Sequence, residues 1–410
     1  MTRDTFTYTT LANGMRAVHV ASPSTIDLAG VMIKAGSRMD PSGFPGLAHF
    51  VEHTIFKGTA HRRAWHINNR MEAVGGELNA FTSKEETFIY TVSPGGNLPR
   101  ALQLVGELAA EPTFPAREID IERAVIMDEI DSYLDSPADA VYDDFEDLLF
   151  AGSALGHNIL GTRQAVEQIG SDHCRAFVER WYTPGRMVAF YSGSMPPGRV
   201  FAIMNRTVGQ IERPETAFDD VVPPLVEPFA VTNTAEGAHQ SNTVTGTRIG
   251  GIMSPDRHAM SLLCNILGGP GMNALLNAEL RERRGLVYSV DASVTRYSDS
   301  GLLAISYGCD HTDAARCRTL VARTLGRTLP AWLDDRNVAR AKRQYLGQVA
   351  VGSDNRENAA FRAARSVCFF GRVLSDEEYA ARINAVTPDE LRELAATALN
   401  PSGFSTLTLE

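Results

Sequence analysis

Apolar and polar positions first alternate with a period of two. Thr7 to Leu11 and Arg16 to Val20 flank Asn13-Gly14, a dipeptide that accepts the backbone of a tight reversal, so the chain opens as a β-hairpin. A further strand is expected near Leu28 to Lys34. The period then lengthens to that of a helix. One helix is expected to start near Pro45, because proline suits a first helical turn. A second covers about Arg62 to Val74 and stops at Gly75-Gly76. Glu77 to Ser83 and Glu86 to Val92 return to strand chemistry, and helices follow at about Leu98 to Ala110 and Ala116 to Leu134.

The end of this pattern occurs twice. A helical stretch from Ser171 to Tyr182 precedes Pro184 and a strand from Met187 to Ser192. A second, from Thr387 to Ala398, opens with Thr387 and Glu390 in capping-box spacing and precedes Pro401 and a strand from Phe404 to Leu409. Between the two, residues 212–228 are rich in proline and acid and hold no period, which reads as a linker. The expected fold class is α+β: two similarly folded α/β-sandwich domains, each a mostly antiparallel sheet with helices packed on it, related by internal duplication. The expected boundaries are 1–211, a linker at 212–228, and 229–410.

Composition narrows the class. A chain of 410 residues suits two cores better than one, and 44% hydrophobic with 21% charged residues is the balance of a soluble globular protein. A net charge of −10, with Lys and Arg nowhere concentrated, argues against a nucleic-acid partner. No run reaches the length of a membrane span, and the first residues hold no apolar signal core, so the expected location is the cytoplasm, in a bacterium. The five cysteines are scattered, without a C-x-x-C pair. They read as small buried hydrophobes in a reducing compartment.

His49-Phe-Val-Glu-His53 carries the chemistry. On a helix, positions four apart lie on one face, one turn apart, and Glu52 falls beside them. Two imidazoles and a carboxylate supply two ligands for a catalytic zinc and a base for its water. The order H-x-x-E-H reverses the commoner H-E-x-x-H and marks the inverted zincins. A third ligand is still needed. In the stretch Glu118 to Asp131, Glu122 and Glu129 are two turns apart and share a stripe, while Asp128 faces elsewhere. Taken alone, such a stripe is more often a solvated face.

Three segments resemble the insulinase/pitrilysin family of inverted zincins, in its short two-domain branch with mitochondrial processing peptidase. They are Gly46 to Thr59 around the histidines, Met71 to Glu85, and Glu122-Arg-Ala-Val-Ile-Met-Asp-Glu129. The resemblance implies that His49, His53 and Glu129 bind one Zn2+ per subunit, that Glu52 is the general base, and that Glu122 orients a ligand or the reacting water. It also implies that Asn79, Ala80 and Phe81 form an edge strand that pairs with extended substrate. Leu280 to Val290 resembles the family segment that gives Arg281 and Tyr288 to the site, as donors to a carbonyl or oxyanion. His157 is not expected to be a ligand, and Gly268 to Gly271 reads as a turn, not a phosphate loop. The expected activity is a zinc-dependent endopeptidase that cleaves unfolded peptides in the enclosed chamber of a homodimer, with sites shared between subunits. A non-catalytic scaffold, or one subunit of a heterodimeric peptidase, is the alternative.

Overall fold

The hairpin forms where the alternating pattern places it. β1 (Phe6–Thr10) pairs antiparallel with β2 (Arg16–Ala21), and Gly14 takes the positive φ (86°) of the reversal. The computed structural model describes residues 6–217, 221–235 and 238–410, so residues 218–220 of the expected linker lie outside the described residues.

The first sheet is completed by β3 (Ile26–Ile33), β4 (Glu77–Thr82), β5 (Thr87–Pro94) and β6 (Met187–Gly193), in the order β1-β2-β6-β3-β5-β4. Every neighbouring pair is antiparallel except β2 with β6. β6 is buried along its whole length, as its unbroken apolar run Met187 to Tyr191 requires of a strand covered on both faces.

The second sheet holds β7 (Ala230–Asn233), β8 (Ser241–Gly250), β9 (Val287–Arg296), β10 (Ser300–Cys309) and β11 (Ser405–Leu409), in the order β7-β11-β8-β10-β9. Only β7 and β11 are parallel there. With β1 set aside, the two orders are the same: β2-β6-β3-β5-β4 against β7-β11-β8-β10-β9. In each, the last strand of its half inserts parallel to the first. The repeated helix, proline, strand ending is this insertion, and the α+β duplication is visible in the topology.

Contacts divide the chain into two compact units. Unit 1 is Met1–Ile130, Asn158–Asp219 and Gly352–Leu374; unit 2 is Asp131–His157, Asp220–Val351 and Ser375–Glu410. The stretch 212–228 separates the two sheets but not the helices that cover them. In unit 1, α1 (Leu47–Ile55), α2 (Ala64–Glu72), α3 (Leu98–Ala110) and α4 (Ala116–Leu134, to Ile130) bury one face of the sheet. Its other face is covered by the helix Arg356–Phe370, from late in the chain, through Ala360, Phe361, Ala363, Ala364 and Val367. Reciprocally, α5 (Pro137–Leu149), from early in the chain, covers a face of the second sheet through Val141, Phe145 and Leu149. Among the described residues, no helix is long and apolar enough to cross a membrane.

Candidate metal centre

α1 has the sequence LAHFVEHTI, and its period sorts it into two faces. Leu47, Phe50, Val51, Thr54 and Ile55 are buried in the core of unit 1. His49, Glu52 and His53 share the opposite face. The helix begins two residues later than Pro45. Gly46 takes the left-handed conformation (φ 95°), and a Cβ there would lie 2.5 Å from the Leu160 carbonyl oxygen. Gly46 has no side chain to cap the helix, so the cap comes from Asp40. Its carboxylate accepts from the backbone N–H of Gly46 (2.7 Å) and of Ala48 (2.8 Å). The glycine-containing loop before Thr162 thus packs against the start of α1.

α4 delivers the two glutamates. Glu129 Oε2 lies 3.7 Å from His49 Nε2 and 3.6 Å from His53 Nε2. Those separations are too long for hydrogen bonds. They match ligands that face a common centre: bonds of 2.0–2.2 Å in tetrahedral zinc place neighbouring ligand atoms about 3.4 Å apart. One ligand atom from each of His49, His53 and Glu129 lies within 4.8 Å of the others. The donor set, two imidazoles and one carboxylate, is of the kind that holds zinc with a position left open. Burial, helped by neighbouring His53, lowers the His49 pKa to about 3, so this imidazole is held in its neutral, ligating form.

Glu122 does not join that triangle. Its Oε2 accepts from His53 Nδ1 at 3.3 Å, which leaves Nε2 for the centre. Its Oε1 is paired with Lys57 Nζ at 2.6 Å. Glu52 sits half-buried beside the histidines. Burial pushes its carboxyl above the usual range, and Glu129 adds to this; the polar groups of Thr82 and the charge of His53 pull the other way.

β4 is an edge strand, paired only with β5 among the described residues. Leu78 and Ala80 pack toward the α1 side of the sheet. Phe81 turns the other way and stacks on Phe88 at 4.8 Å, so its ring belongs to the core and any peptide contact at Phe81 runs through its main chain. The main-chain groups along an open edge are those that an added strand would use.

In unit 2, Arg281 lies in the helical segment Asn277–Glu282 and Tyr288 on β9. The Arg281 guanidinium sits 5.7 Å from the centre of the Tyr288 ring. Arg283 and Arg284 are instead bound to buried Glu279. Tyr288 is 86% exposed, and β9, like β4, is an edge strand.

Residues 17–163 match the family described as Insulinase (Peptidase family M16), and residues 134–345 match the one described as Peptidase M16 inactive domain. An uncharacterized zinc protease of Streptomyces coelicolor is 31% identical, covering 95% of this chain and 86% of that protein. This chain belongs to the insulinase family of M16 peptidases. An uncharacterized zinc protease of Mycobacterium tuberculosis is 32% identical over 96% of this M16 chain and 90% of its own length. One of Bacillus subtilis is 28% identical over 94% of each. The crystal structure of a protease from Helicobacter pylori superposes with a TM-score of 0.91 at 19% identity, covering 100% of both chains. A peptidase M16 inactive domain structure from Pseudomonas fluorescens gives 0.88 at 19% identity, covering 99% and 97%. These two support the shared fold.

Sequence reasoning passed over three residues of this M16 site: Lys57, Thr82 and Asp40. Thr82 lies within the segment Met71 to Glu85 and within β4, one residue beyond the three, Asn79 to Phe81, that were assigned a role. Lys57 is four residues after His53, a helical spacing, but it stands past the end of α1. Asp40 is separated from the helix it caps by a loop, so the capping pattern has no local signature.

Proposed function

We propose that this M16 protein is a zinc-dependent endopeptidase acting on unfolded peptides. The observation that carries the reading is the convergence of His49, His53 and Glu129 around one point, with Glu52 on the same helix face. A zinc ion held by these three residues would supply Lewis acidity, and with it a water made nucleophilic at neutral pH. Glu52 takes that water's proton on a carboxylate oxygen and returns it to the leaving amine nitrogen. Thr82 holds Glu52 while it does so. The open edge of β4, at Asn79, Ala80 and Phe81, binds extended backbone, so recognition is partly independent of sequence.

Arg281 and Tyr288 are proposed as donors to the substrate carbonyl or the oxyanion that develops from it. Both this pair and the metal ligands occur in one chain, so a homodimer is sufficient for a shared site, and an enclosed chamber would select unfolded peptides. Mixing His49→Ala with Tyr288→Phe subunits tests the sharing: activity should return in mixed dimers, and none would return if each site is built within one subunit. Four of the five cysteines are buried and all are free, which suits the proposed location in the bacterial cytoplasm.

The deciding experiment compares zinc content and hydrolysis of a quenched, unstructured peptide for the chain and for Glu52→Gln. Near one zinc per subunit in both, with turnover lost only in Glu52→Gln, is the expected result. Zinc without turnover in the native chain would favour a scaffold or heterodimer subunit. No zinc in either would refute the site.

A further inference from the structure

Lys57 ends a chain of contacts that leads to the metal ligands. Its ammonium lies 2.6 Å from Glu122 Oε1, and the other oxygen of that carboxylate faces His53 Nδ1 at 3.3 Å. The pair is largely withdrawn from water: the side chains are 27% and 9% exposed. Its backbone is anchored as well. The Lys57 N–H donates to the Thr54 carbonyl at 3.1 Å, and Gly58 bridges to Arg63.

A carboxylate hinged on a flexible side chain can turn either oxygen to either donor. An ammonium fixed on Oε1 removes that freedom and leaves Oε2 for the imidazole. The imidazole can meet this acceptor only with its proton on Nδ1, which puts the lone pair on Nε2, the atom 3.6 Å from Glu129. Partners of this kind set both the tautomer and the direction of a ligating histidine.

We propose that Lys57 is a positioning residue of the metal centre: by pinning Glu122 it holds His53 in the Nδ1–H form, with Nε2 directed at the metal. This rests on the zinc reading above, and it needs no contact between Lys57 and metal, water or peptide.

The test measures zinc dissociation constants for the full chain by competition with a chromogenic chelator. The variants are Lys57→Met, Lys57→Arg, Lys57→Gln, Glu122→Gln and the double variant Lys57→Met/Glu122→Gln. Lys57→Met should weaken zinc roughly tenfold, the lower end of what such partners contribute. Lys57→Arg, which keeps the charge, should recover most of this, and Lys57→Gln less. In the Glu122→Gln background, Lys57→Met should change the constant less than about twofold, because its route to His53 is already broken. An unchanged constant in Lys57→Met, or the same loss in both backgrounds, would overturn the proposal. Long-range ring-nitrogen NMR of the metal-free chain gives a second readout. His53 should be the Nδ1–H tautomer in the native chain and a mixture in Lys57→Met and Lys57→Gln; no difference overturns the proposal even if one variant folds poorly. Failure of the zinc reading itself would show separately, as weak zinc binding by the native chain that His49→Ala does not weaken further.

Discussion

Phe361→Ala probes the least expected contact of the fold, a residue of the second half set against the sheet of the first. Phe361 is 7% exposed, and four rings of that sheet surround it. The centroid distances are 4.9 Å to Phe88, 4.9 Å to Tyr90, 5.4 Å to Phe81 and 5.8 Å to Phe190, all edge-on. Removing the ring loses its transfer from water and leaves a cavity that the four neighbouring rings cannot fully close. Buried Phe→Ala changes of this kind cost about 3–5 kcal/mol, and aromatic pairing places this site in the upper part of that range. Phe361→Leu, which refills much of the volume, should cost roughly half as much. The assay is amide hydrogen exchange read by mass spectrometry, with urea denaturation alongside. Protection of the β4–β5 ladder should fall roughly 10³-fold, since each 1.4 kcal/mol is a factor of ten in local opening. Protection of β8 and β10, whose partners are elsewhere, should change little. Zinc content should also hold, because α1 lies on the opposite face of the sheet. A loss under about 1 kcal/mol, or equal loss of protection in both sheets, would refute the assignment of this helix to the first sheet.

Three further outcomes follow from named contacts. Thr82→Val should lower kcat about tenfold, with KM and zinc content unchanged, because the proposed base Glu52 loses the polar influence of the Thr82 hydroxyl; Thr82→Ser should restore it, and steady-state kinetics decides. Asp40→Ala removes both acceptors at the start of α1 and should cost about 2–3 kcal/mol in urea denaturation, with Asp40→Asn intermediate. The His258 pKa is lowered to about 4, first by burial and then by Arg257, Arg382 and Arg296. A histidine held neutral stabilises the fold fully above its unfolded pKa near 6.5, and that contribution is lost as pH falls from there toward 4. The melting temperature should drop across that window, and His258→Asn should flatten the drop.

What could be read in the sequence was what is decided locally. The helices Leu98–Ala110 and Ala116–Leu134 stand where their patterns ended, because prolines and a change of period bound them in the sequence itself. The helix of His49 and His53 was shifted by two residues, since Gly46 and the distant carboxylate of Asp40 set its start. The shared stripe of Glu122 and Glu129 followed from helical period alone, and the structure brings both to His53. Lys57 and Thr82 could not be found that way. Lys57 stands just beyond α1, where helical spacing no longer gives direction, and Thr82 is the last residue of β4, whose period of two gives a face of the sheet but not the residue of α1 that it meets. Nor could the exchange of covering helices be read. An amphipathic helix shows that it needs an apolar face, but not which sheet offers one, and Arg356–Phe370 and α5 each cover the sheet of the other half.

The repeated strand order shows how the two units have diverged in chemistry. Each ends on an edge strand, β4 in one and β9 in the other. In unit 1 that edge runs beside a helix whose polar face carries His49, Glu52 and His53. In unit 2 the helix Arg257–Gly268 has no such set: eight of its residues are buried, Ala259, Met260, Leu262, Leu263, Cys264, Ile266, Leu267 and Gly268. Its edge strand instead carries Tyr288. An aromatic side chain 86% exposed contributes little to stability, and its phenol is free of the core. The segment before it is nonetheless held firmly, with buried Glu279 binding Arg283 and Arg284. Those two arginines are thereby committed to structure, while Arg281 lies over the Tyr288 ring, with Glu282 3.9 Å from its Nε. A rigid base under an exposed side chain is the arrangement that the donor role proposed for Arg281 and Tyr288 requires.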